Sequence, residues 1–240
     1  MPDWLTARPV AHRGLHDAAA GVIENTGSAF AAAIAGGYAI ECDLQISADG
    51  EAMVHHDATL SRLTDAAGRL DTLTAAELKL VPFKATADAM LSLGELCDLV
   101  ASRAALVIEI KSRFDGDLRL AERTAAVLAG YPGPVAVMSF DPEPMAALRR
   151  RAPRLPRGLV AQRHSDGEAR ATPALRFAGQ ALAARLDFLA YRVQDLDGLI
   201  PRAARALLGL PVLTWTVRTA EDRARAARFA DQIIFEGFRP

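Results

Sequence analysis

Tyr38-Ala39-Ile40-Glu41-Cys42-Asp43-Leu44-Gln45-Ile46 is an apolar run carrying two carboxylates two residues apart. A run of this kind reads as a buried strand, whose side chains alternate between two faces. Glu41 and Asp43 therefore share one face, and Cys42 takes the other, where a small thiol packs among apolar neighbours. Upstream, Gly36-Gly37 closes a helical pattern over 26–35. The unit is a helix feeding a buried strand, and it recurs. Strand-like runs cover 9–12, 38–46, 106–111, 135–140, 157–161, 187–191, 212–217 and 232–235. Helical patterns cover 26–35, 93–102, 118–129, 143–151, 172–183, 199–208 and 220–229. Strands alternating with helices make parallel βα units. Eight strands in 240 residues predict an α/β fold, a closed (β/α)8 TIM barrel, which takes about 250 residues.

Local signals mark the element ends. Asn25 or Thr26 can cap the first helix. Ser92 with Glu95 has capping-box spacing, and Thr219 with Asp222 is a variant of it. Asp49-Gly50 is a turn, so the second strand doubles back as a hairpin over 51–56. Residues 58–91 then form a small insertion after the second strand, with a helix over 73–80 following Thr72 or Thr74. The expectation is one domain over 1–240, with the insertion over the catalytic end of the barrel.

Composition narrows the function classes. Half the chain is hydrophobic (51%) and the formal net charge is −1, which argues against a broad basic nucleic-acid surface. Cys42 and Cys97 are too few for a disulfide framework or a structural zinc site. No signal-peptide pattern and no run of about 18 apolar residues is visible, so a cytoplasmic protein without a membrane span is expected. Basic charge is overwhelmingly arginine. Lys79, Lys84 and Lys111 are the only lysines, which makes Lys111 notable.

Catalytic side chains of a (β/α)8 barrel project from the C-terminal ends of its strands. His12 closes the first strand, Glu41 and Asp43 lie on the second, and Glu109 and Lys111 end the third. Three inward carboxylates repel one another and are desolvated unless a cation compensates them. A divalent ion supplies more charge than Lys111 does. Oxygen-only donors select a hard cation, Mg²⁺ or Ca²⁺, over Zn²⁺.

The order His12-Arg13-Gly14, Glu24-Asn25-Thr26, Glu41-Cys42-Asp43, His56-Asp57, Glu109-Ile110-Lys111 resembles the glycerophosphodiester phosphodiesterase family. Ser139-Phe140-Asp141 and Trp215-Thr216-Val217 match further segments usual in it, so the resemblance spans nearly the whole chain. It implies a metal-dependent TIM barrel hydrolysing deacylated phospholipids to glycerol 3-phosphate and an alcohol, a small-molecule substrate. It further implies that Glu41, Asp43 and Glu109 ligate the metal, His12 and His56 are the acid/base pair, and Arg13 and Lys111 hold phosphate. Two departures stand out. Ile23 replaces the proline usual before Glu-Asn-Thr, and Phe235-Glu236-Gly237-Phe238 replaces the usual Thr-Asp-x-Pro. Glu236 either replaces the missing acid or is a surface residue.

His55, His16 and His164 are spare histidines; alternation places His55 on the face opposite His56. Asn25 either caps a helix or enters the site, and the role of Glu24 is open. Trp215 either walls the substrate or fills the core. Two other functions fit the same residues: a lysophospholipase D or sphingomyelinase D-like hydrolase, and a non-catalytic phosphate-binding barrel.

Overall fold

In the computed structural model, residues 2–163, 182 and 184–240 are described. In chain order the elements begin with α1 (Trp4–Ala7), β1 (Val10–Ala11), α2 (Gly27–Ala35), β2 (Ala39–Ile46), β3 (Ala52–Val54), α3 (Ala75–Lys79) and α4 (Leu93–Val100). They continue with β4 (Leu106–Ile110), α5 (Arg119–Leu128), β5 (Val135–Ser139), α6 (Pro142–Arg151), β6 (Arg157–Ala161) and β7 (Phe188–Arg192). The last are α7 (Leu199–Leu208), β8 (Val212–Val217), α8 (Ala220–Phe229) and β9 (Gln232–Phe235). The helix expected over 172–183 lies outside the described residues, Leu182 excepted.

Strands β1, β2 and β4–β9 pair in parallel around a ring, and β1 closes it by pairing with both β9 and β2. This is the expected closed eight-stranded barrel. The ninth strand, β3, folds back antiparallel on β2, pairing Leu44 with Val54. The fold follows from two apolar faces. Val10, Ala39, Val107, Ala136, Phe188 and Leu213 fill the barrel interior, with Leu5 of α1 packed among them. The alternate positions, Cys42 included, face outward against Phe30, Leu93, Leu96 and other helix residues. The lower interior is thus a packed core, and polar chemistry is confined to the upper end.

The element ends follow the sequence signals in most places. Ser92 and Thr219 both head true capping boxes, with Glu95 and Asp222 as partners, and Thr74 with Glu77 heads a third at α3. The cap of α2 is a correction. Thr26 stands at the N-cap position but its hydroxyl donates to the Ile23 carbonyl at 2.7 Å, and Asn25 sends its amide elsewhere. The first strand is also shorter than expected, because the chain turns away after Ala11. Gly14 makes that turn possible: its φ is +80°, and a Cβ there would sit 2.8 Å from the Ala29 backbone. Residues 58–91 carry a small core of their own, in which Leu60, Leu70, Leu78, Phe83 and Met90 pack on Met53 and Ile23.

Candidate active site

Barrel closure brings the sequence-predicted residues together. The register sets Asp43 of β2 directly beside Glu109 of β4, and Glu41 one step below on the same face. All three carboxylates are buried, and one oxygen from each lies within 4.8 Å of the others. Burial and the neighbouring Asp43 and Glu109 charges push Glu41 well above the usual carboxylate range. Glu109 is raised for the same reason, its burial outweighing Lys111. Burial would raise Asp43 as well, but Lys111 and Arg13 overcome it and hold this group well below its ordinary value. Such a trio of buried oxygen donors fits a hard divalent cation.

Two cations share these carboxylates. Lys111 Nζ lies 2.8 Å from Asp43 and 2.6 Å from Glu109, and the pair keeps its ammonium charged despite burial. Arg13 donates through Nη1 to Glu24 at 2.7 Å. Its Nε is 3.3 Å from Asp43 but makes no hydrogen bond, so that contact is an ion pair alone. The backbone N–H of Arg13 donates to Glu41 at 2.9 Å, which locks the His12-Arg13-Gly14 turn onto β2. Asn25 belongs here and not to a helix cap. Its side chain donates to Asp43 Oδ2 at 2.9 Å and accepts from the Asp43 backbone at 3.3 Å.

Each of the two catalytic-candidate histidines is braced by a carboxylate. Nδ1 of His12 lies 2.7 Å from Glu236 Oε2, and Nδ1 of His56 lies 2.7 Å from Asp57 Oδ1. Glu236 and Asp57 are both held at about 2, burial being outweighed by bonds to their histidine and to Arg218 or Arg62. An ionised carboxylate only accepts, so each imidazole must donate from Nδ1 and present Nε2 for chemistry. Burial lowers His12 and takes His56 down to about 4, against the pull of Glu236 and Asp57. Nε2 of His12 faces Glu41 Oε2 at 4.0 Å. His56 reaches the same place from the hairpin: the His55 backbone N–H donates to the Asp43 carbonyl, and Gln45 donates to the His56 carbonyl. The neighbouring His55 is buried, its Nε2 3.4 Å from the Thr59 carbonyl.

Reasoning from sequence missed Arg62. From the insertion, it donates to Asp57 at 2.5 Å and to both oxygens of Glu24 at 2.7 and 2.9 Å. It thus ties the carboxylate behind His56 to the one behind Arg13. Glu236 is likewise no free surface residue. Trp215 is half-buried, its ring edge-on to Phe140 at 5.5 Å at the top of the barrel interior. A cavity of about 490 Å³ opens beside the carboxylates, lined by His56, Glu109, Lys111, Ser112, Phe114 and Phe140 among others. Ser139 and Asp141 brace its rim, bonding the Ile110 carbonyl and the Ser112 hydroxyl.

The sequence pattern of the glycerophosphoryl diester phosphodiesterase family matches residues 12–235. The chain belongs to that family. It is accordingly a phosphodiesterase acting on glycerophosphodiesters, and the acidic trio is its candidate divalent-cation site. A glycerophosphodiester phosphodiesterase of Caldanaerobacter subterraneus subsp. tengcongensis is 31% identical over 163 residues, 64% of this chain and 66% of the relative. Among solved structures, an Oleispira antarctica phosphodiesterase in complex with the product sn-glycerol-3-phosphate superposes with a TM-score of 0.80. It is 19% identical and the match covers 95% of this chain and 91% of that one. A glycerophosphodiester phosphodiesterase from Thermotoga maritima gives 0.75 at 24% identity, covering 95% and 94%. These two likenesses establish the fold. No helix among the described residues is long and apolar enough to cross a membrane.

Proposed function

We propose that the chain is a Mg²⁺- or Ca²⁺-dependent hydrolase that cleaves deacylated phospholipids to glycerol 3-phosphate and an alcohol by histidine acid/base catalysis. The observation that carries this reading is the juxtaposition of three buried carboxylates with two Nδ1-anchored histidines at one end of the barrel. Glu41, Asp43 and Glu109 would hold the cation. Bound there, it supplies positive charge against the charge that accumulates on phosphate oxygens. Arg13 and Lys111 bind the phosphate and neutralise it further. Trp215 with Phe140 forms an apolar wall that excludes water from one side of the substrate.

In the reaction, one imidazole takes a proton at Nε2 from the attacking hydroxyl, either of water, which gives glycerol 3-phosphate directly, or of the substrate's own glycerol, which gives a cyclic phosphate that water then opens. The phosphorus–oxygen bond to the alcohol breaks in line with the attack. The other imidazole, as imidazolium, returns a proton from Nε2 to the departing oxygen. Glu236 and Asp57 hold both rings in the tautomer that this requires. Residues 58–91 act with the barrel as one unit and close over the site, a role supported by the Arg62 bonds to Asp57 and Glu24. Buried free thiols at Cys42 and Cys97 suit a reducing, cytoplasmic setting. The test is release of product from glycerophosphocholine, glycerophosphoethanolamine and lysophosphatidylcholine. Turnover of the first two with little of the third is expected. Preference for the acylated substrate, or binding of phosphate without turnover, would overturn the reading.

A further inference from the structure

His12, His16 and Glu236 form a second ligand-rich group, separate from the acidic trio. One ring nitrogen from each histidine and one Glu236 oxygen lie within 4.8 Å of one another. All three side chains are half-buried, so a small ion can reach them. Nε2 of His16 is buried and has no hydrogen-bond partner, although a buried imidazole nitrogen ordinarily finds one. The donor set is also of a different kind. Glu41, Asp43 and Glu109 offer oxygen alone, which suits Mg²⁺ or Ca²⁺; two imidazoles and a carboxylate suit a borderline ion such as Zn²⁺. Donors bound tetrahedrally at zinc distances sit about 3.3 Å apart, so side-chain movements of roughly 1–2 Å complete the site. A fourth position is left for water.

We propose that His12, His16 and Glu236 form an inhibitory transition-metal site that takes Zn²⁺. The ion takes the place of the proton between His12 Nδ1 and Glu236, and the neutral ring carries that proton on Nε2 instead. With metal on Nδ1 and the proton on Nε2, the ring has no free lone pair to accept the proton that turnover requires. Arg218, which donates to the same Glu236 oxygen at 2.9 Å, swings away or keeps only one lone pair. Its exposed side chain makes that movement inexpensive. Metal binding here does not depend on the acid/base role of His12; inhibition does.

The test uses the whole chain in excess Mg²⁺, which occupies the oxygen-only site. Zn²⁺ binding is measured by equilibrium dialysis, and Co²⁺ serves as a spectroscopic probe of nitrogen ligation. One Zn²⁺ per chain and nitrogen-ligand Co²⁺ bands are expected in the wild type. His16→Ala and the conservative His16→Gln should bind at least about tenfold more weakly and keep basal turnover. They should also need at least about tenfold more Zn²⁺ for half-inhibition. Equal Zn²⁺ affinity in the wild type and in either folded variant, or Co²⁺ spectra without nitrogen ligation, would overturn the site. Zn²⁺ bound through His16 with turnover unaffected would overturn the inhibitory role, and with it the acid/base reading of His12 on which that role rests.

Discussion

At the scale of single residues, the histidines are set by what lies behind them. Glu236 and Asp57 accept from Nδ1 and leave Nε2 as the nitrogen that the proposed proton transfers use in His12 and His56. His12→Ala and His56→Ala should each lower kcat by about a hundredfold or more, with circular dichroism unchanged, since general acid/base catalysis contributes about 10²–10⁴-fold. Near-normal turnover in either variant would remove that residue from the chemistry. Glu236→Gln tests the brace itself. The Glu236 bond supports the protonated form of His12 against burial, so its loss should lower kcat and move the His12 limb of the kcat profile to lower pH. A fall in kcat with an unmoved profile would reduce Glu236 to packing. The carboxylates were legible because alternation along one buried strand places Glu41 and Asp43 together whatever else the chain does. Asn25 was not: the amide that can cap a helix locally can equally bond Asp43 across the barrel, and the local pattern is the same. Glu236 meets His12 across 224 residues, a separation at which only barrel closure reveals the contact.

At the scale of elements, all eight barrel strands were visible as short apolar runs, because a strand buried on both faces is apolar nearly throughout. The hairpin β2–β3 was also legible, from Asp49-Gly50, and it explains why His56, a proposed catalytic histidine, arises off the barrel ring. The insertion was legible as an interruption, but not its contacts. Its local periodicity says where a helix such as α3 lies and nothing of which arginine turns toward the site. Arg62 bridges Asp57 and Glu24 and carries no motif of its own. Arg62→Ala should release both carboxylates and lower kcat by about tenfold, less than loss of the histidine that Asp57 braces. An unchanged kcat would mean that the insertion does not position the site. A loss as large as that of His56→Ala would mean that Arg62 meets the substrate.

At the scale of the whole molecule, closure of the ring between β9 and β2 sets His12 between Glu236 on one side and Glu41 on the other. It also concentrates charge in a way that couples folding to pH and to cations. Glu24, Asp57 and Glu236 have folded values depressed to about 2. Their contribution is present above the unfolded range near 4 and is lost as pH falls from about 4.5 toward 2. Glu41 and Glu109 run the other way: raised by burial and mutual repulsion, they favour the fold while protonated and cost stability as pH rises through their folded values. A cation that binds ionised carboxylates offsets that cost only where they are ionised. Mg²⁺ or Ca²⁺ should therefore raise Tm at pH 7–8 by several degrees, with the gain fading toward pH 5. A Tm indifferent to both ions at pH 8 would contradict this coupling. The most direct test of the central claim is glycerol 3-phosphate release from glycerophosphocholine by chelator-stripped enzyme, before and after Mg²⁺ or Ca²⁺ is restored. The account predicts turnover abolished by stripping, recovered with either ion, and not recovered in Glu41→Gln or Glu109→Gln; full turnover by the stripped enzyme would contradict it.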